Sequence, residues 1–135
     1  MYSKYSISPK SALSAYQRAQ FSVMSPLQIE VMAFKQAASK MKQAAKNMKD
    51  FIGYVDALKF NQRLWTALQA RLTDQDCRVP EPVRTKILNL SLYVDTQTLE
   101  AIVQPSASHL SSLINIDLNL ADGLFEGKKT GSMLN

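Results

Sequence analysis

Apolar residues recur along this chain at alternating steps of three and four, sustained long enough to predict helices. Leu27, Val31, Phe34, Ala38, Met41, Ala45 and Met48 form one stripe, behind a Ser25-Pro26-Leu27-Gln28 start signal. A serine cap accepts an orphan N–H, proline fits the first helical position, and Gln28 can reach back to the cap. A second stripe runs through Phe51, Tyr54, Leu58, Asn61, Trp65, Leu68 and Leu72, opened by Asp50, whose charge suits a helix N-terminus. Gly53 and the run "KNMKD" predict a break or a bend around 47–53.

Residues 73–82, "TDQDCRVPEP", read as a loop, and Pro80 and Pro82 restart the chain because proline is accepted only in a first turn. Val83, Ile87, Leu90 and Val94 make the next stripe, with Ile102 at its end, and "QPSAS" at 104–108 breaks it. From about 108 to 125, Leu110, Leu113, Asp117, Leu120 and Leu124 share a seam that Ile114, Ile116 and Leu118 widen. Ahead of all these, a short amphipathic helix is expected over 10–23, with Leu13 and Tyr16 on one face. Residues 1–9 read as a loosely held arm, and 126–135, "EGKKTGSMLN", have no period and read as a mobile tail. The expectation is a single all-α domain, a compact bundle of about five helices over 10–125.

Composition agrees with that reading. A chain of 135 residues with 46% hydrophobic and 20% charged residues is one soluble globular domain on length priors. Four Gly and five Pro are too few for a turn-rich sheet protein. The single Cys77 cannot form an internal disulfide, and no apolar run is long enough to span a bilayer or to serve as a secretion signal. A cytoplasmic protein with no membrane insertion is expected. The first 49 residues carry eight Lys/Arg against the single acid Glu30, whereas the rest carries eight against ten acids, for a formal net charge of +5. That asymmetry suits an acidic partner for the first half.

Chemistry is sparse. His109 is the only histidine, Cys77 has no thiol or imidazole partner, and no glycine-rich phosphate loop occurs. No catalytic group, cofactor or metal is expected. The informative residues are instead the polar members of apolar seams, Asn61 and Asp117. A buried amide or carboxylate without a partner costs a few kcal/mol, so each requires one. Arg84 sits in a first turn, against the helix dipole, and its guanidinium could fork onto Asp117. Asn61, Arg84 and Asp117 are therefore expected to meet as a polar network, and Trp65, sharing a seam with Leu58, Leu68 and Leu72, is expected to anchor the core.

The string Asn61-Gln62-Arg63-Leu64-Trp65, preceded by Asp56-Ala57-Leu58, resembles the "DAL-x-x-N-R-R-L-W" signature of the FlaF family of flagellar biosynthesis regulators. Val79-Pro80-Glu81-Pro82-Val83-Arg84 resembles the family's "L-P-x-x-L/V-R", and Leu90-Ser91-Leu92-Tyr93-Val94 its "L-S-L-x-V". Leu113-Ile114-Asn115-Ile116 through Gly123-Leu124 resembles the closing "L-I-x-I-N-x-x-I-x-x-G-L", while Ala15-Tyr16 and Ser25-Pro26-Leu27-Gln28-Ile29-Glu30 echo upstream motifs. The resemblance covers residues 15 to 125 in order. Three positions depart from it: Leu27 and Gln62 stand where the family has arginine, and Asp117 where it often has asparagine.

The resemblance implies a small, non-enzymatic cytoplasmic protein that binds flagellin and assists its export, beside a companion regulator of flagellin translation. A helical protein with a spare apolar groove can hold flagellin's terminal segments as amphipathic helices. The last helix has more apolar residues than one stripe requires, and the expected contacts are Tyr16, Leu113, Ile116, Leu120, Leu124 and Phe125. Either that excess, or the surface uncovered when the 10–23 helix moves aside, would receive the client. The alternative is an RNA-binding regulator gripping phosphates with Lys35, Lys40, Lys42, Lys46 and Lys49. Without interleaved exposed aromatics, that reading is disfavoured.

Overall fold

The structure is a computed structural model, and it describes residues 26–129, with side chains described for 28–124. Four helices follow one another: α1 Pro26–Lys46, α2 Phe51–Leu72, α3 Glu81–Val103 and α4 Ala107–Lys129. Among the described residues there is no strand. The expected 10–23 helix and the 1–9 arm lie outside the described residues. α4 runs to Lys129, and the rest of the tail expected from residue 126 lies outside the described residues.

Each break has a local cause. α1 ends in a turn in which Asn47 and Asp50 donate their N–H groups to the Ala44 and Asn47 carbonyls, each at 3.1 Å. Asp50 then caps α2, its carboxylate accepting from the Gly53 N–H at 3.0 Å. A Cβ on Gly53 would stand 2.5 Å from an Asp50 carboxylate oxygen, so glycine leaves room for the cap. Between α2 and α3, Thr73 folds its hydroxyl onto the Gln69 carbonyl at 2.9 Å, and Val79 tucks into the core. Pro80 and Pro82 then start α3, with Glu81 at the positive end of its dipole.

Three short connections make every sequential pair antiparallel, an up-down-up-down bundle. α1 packs on α2, α2 on α3 and α3 on α4, and the ring closes through α1 against α4, the most extensive of the four pairings. Alanines on α1 permit that closeness: Ala37 and Ala38 are fully buried, and Ala44 and Ala45 border the core. α2 and α4 therefore stand across the diagonal. The interior holds Phe34 and Met41 from α1, Tyr54, Leu58, Trp65 and Leu72 from α2, Val94 from α3, and Leu110 and Leu113 from α4. Phe34 meets Trp65 edge to face, with ring centroids 5.4 Å apart.

α3 differs from its expected stripe. Its buried face is Ile87, Ser91, Val94, Thr98 and Ala101, whereas Ile102, expected inward, is exposed. Ser91 and Thr98 turn their hydroxyls onto the Leu88 and Val94 carbonyls at 2.6 and 2.7 Å, and the Ser91 oxygen also accepts from the Gln69 amide of α2 at 2.9 Å, so both buried hydroxyls are satisfied.

Candidate functional site

Asn61 and Asp117 occupy inward positions on α2 and α4, and both are fully buried. They meet at the bundle centre. Trp65, one turn beyond Asn61, donates its indole N–H to Asp117 Oδ1 at 2.9 Å. The terminal amide of Asn61 approaches the same carboxylate at 2.5 Å to Oδ2 and 3.2 Å to Oδ1, with the nitrogen turned toward it. That orientation is assigned from the hydrogen-bond network. Burial pushes the Asp117 carboxyl from 3.8 up to about 7, while the Trp65 N–H pulls it down.

Both protonation states can be accommodated here. With Asp117 ionised, the Asn61 NH2 and the Trp65 N–H donate to it. With Asp117 protonated, its own O–H donates to the Asn61 carbonyl oxygen once the amide is turned over.

Arg84 does not join this pair, which corrects the three-residue network expected from sequence. Its guanidinium Nη1 donates to the Val79 carbonyl at 3.5 Å. The cause is axial distance. α3 runs antiparallel to α4, which places Asp117 level with the middle of α3, roughly 14 Å along the axis from Arg84 at 1.5 Å per residue. A guanidinium cannot span that. Arg84 instead ties the incoming loop to the first turn of α3.

The apolar residues expected to receive a client divide. Leu113 and Leu124 are in the core, and Ile116 and Leu120 are half-buried against it. α4 is wide in its apolar face because neighbours cover it on both sides. Tyr16 lies outside the described residues and the Phe125 side chain outside the described side chains. The large apolar residues left exposed are elsewhere: Met32, Phe51, Ile52, Leu92, Tyr93, Leu99, Ile102 and Val103. Five of these are on α3. The available signal was the pairing of Ser91 and Thr98, seven residues apart, with leucines one position on.

Tyr54 is another residue whose role was not apparent in the pattern. Its buried hydroxyl donates to the Ala101 carbonyl at 2.7 Å and accepts from the Ser106 N–H at 3.1 Å. The phenol thus ties the α3–α4 turn to the start of α2. Trp65 is fully buried, as a core anchor should be. Lys35, Lys40, Lys42, Lys46 and Lys49 all point to solvent, with the Lys40 ammonium 5.0 Å from the centroid of the half-buried Phe60 ring. Among the described residues, no group of His, Cys and carboxylates could hold a metal ion, and no helix is long and apolar enough to cross a membrane.

Compared with known proteins, the chain matches the family model described as flagellar protein FlaF over residues 12–124. No curated protein and no solved structure matches it.

Proposed function

This chain belongs to the FlaF family of flagellar proteins, and from that premise we propose that it binds flagellin monomers and supports their export and assembly. Members of the family are non-catalytic regulators, so the protein's part in flagellar biosynthesis is that of a regulator and not of an enzyme. The finer reading is supported by the large apolar side chains at the bundle surface, since an unassembled client with amphipathic ends needs an apolar surface to lie on. Acting before export places the protein in the cytoplasm, where a companion regulator of flagellin translation would meet it.

The test is a titration of purified flagellin, disordered ends included, into the full-length protein. Saturable binding at about tens of micromolar or tighter is expected. No binding in that range overturns the reading. A gel shift with the flagellin message leader at physiological salt is the second arm. A shift abolished by replacing Lys35, Lys42 and Lys49 would favour the RNA-binding alternative instead.

A further inference from the structure

α3 has an unusual distribution of residue types. It buries Ser91 and Thr98 at 1% exposure each, while Leu92, Leu99 and Val103 stand 62, 64 and 70% exposed. These three lie within an arc of about 40° around the helix axis and extend roughly 16 Å along it. Thr96, between them, has its hydroxyl folded onto the Leu92 carbonyl at 3.1 Å, so it interrupts the stripe little. Leu99 and Val103 border a shallow depression with Glu100 and Gln104. The stripe broadens at its end, where the Tyr54–Ala101 bond brings the start of α2, with Phe51 and Ile52 at 53 and 73% exposure, against the end of α3.

Charge says what fits there. Exposed Asp95 and Glu100 flank the stripe on opposite sides, and no Lys or Arg occurs from Ile87 through Gly127. We propose that the outward face of α3 is a docking surface for an amphipathic helix of a partner protein whose apolar stripe is bordered by basic residues. A second copy of this chain is a poorer occupant. Stripe-to-stripe pairing about a twofold axis would set the two copies' Asp95 and Glu100 against each other. An anionic lipid surface meets the same repulsion. The inference rests on the flagellin reading only for whose helix it is.

The experiment uses the full-length, isotope-labelled protein and two synthetic helical peptides of about 18 residues, with identical leucine stripes flanked by lysine or by glutamate. The lysine peptide should bind saturably, with amide shifts confined to residues 92–103 and the start of α2. The double variant Leu99→Ser/Val103→Ser should keep the thermal midpoint and lose about tenfold or more in affinity. Asp95→Lys/Glu100→Lys should reverse the preference between the peptides. Absence of binding, equal binding of both peptides, or shifts elsewhere would overturn the proposal. So would a concentration-dependent dimer that Leu99→Ser/Val103→Ser abolishes, which would assign the stripe to a second copy. Flagellin binding that survives Leu99→Ser/Val103→Ser would remove this surface and leave the flagellin reading intact. Peptide binding without flagellin binding would do the reverse.

Discussion

The indole N–H of Trp65 reaches Asp117 Oδ1 at 2.9 Å across the diagonal of the bundle, joining two helices whose backbones do not pack side by side. A core held only by leucines tolerates small axial slips. A directional bond from α2 to a single carboxylate on α4 does not, and the Asn61 amide beside it narrows the choice further.

This arrangement makes stability fall as pH rises. Asp117 holds its proton up to about 7 in the folded state against 3.8 as its ordinary value, so between those limits the folded chain binds more protons than the unfolded one. The contribution is greatest below about pH 4 and is lost by about pH 7, at most about 4 kcal/mol at 1.36 kcal/mol per pKa unit. Urea unfolding of the wild type and Asp117→Asn at pH 4.5, 6 and 8 would check it, with the wild type losing ground to the variant at each step. Parallel curves would refute the assignment.

Asn61 and Asp117 should be energetically coupled, and Arg84 should not. Asp117→Leu leaves the Trp65 N–H and the Asn61 amide without an acceptor, at about 1–3 kcal/mol. Adding Asn61→Leu should recover part of that loss, whereas adding Arg84→Met should change stability additively within about 0.5 kcal/mol. Two double-mutant cycles by denaturant unfolding separate the cases.

Trp65 carries both ring packing and the bond to Asp117. Trp65→Ala should cost about 3–5 kcal/mol. Trp65→Phe keeps an edge-to-face partner for Phe34 but withdraws the donor, at about 1–3 kcal/mol. As the chain has a single tryptophan, its fluorescence in the intact protein should also titrate with Asp117.

Tyr54→Phe removes one hydroxyl and with it two bonds, to the Ala101 carbonyl and from the Ser106 N–H. A loss of about 1–3 kcal/mol is expected. Amide exchange should quicken first at Ser106 and Ser108, in the turn that the phenol ties down. Uniform quickening along α3 and α4 would point to a general loss of packing instead.

Periodicity alone determined a good deal of this protein. Regular steps of three and four say which residues share one face of a helix, and Asn61, Trp65 and Asp117 fell on seams whose burial obliges their polar atoms to find one another. Caps such as Asp50 and restarts such as Pro80 and Pro82 are equally local, so the breaks between α1, α2 and α3 were legible in the chain.

Whether a face is covered depends on where neighbouring helices stand, and only the tertiary structure decided that. α4 spends its broad apolar surface on neighbours at both flanks, with α1 approaching closely over alanines. α3 is turned so that hydroxyls folded onto its own carbonyls face the core and Leu92, Leu99 and Val103 face out, an orientation hydropathy argues against. Arg84 and Asp117 looked like partners by charge but sit at different heights of an antiparallel pair. Height, rotation and neighbour are properties of the packed bundle, and no helix carries them in its own sequence.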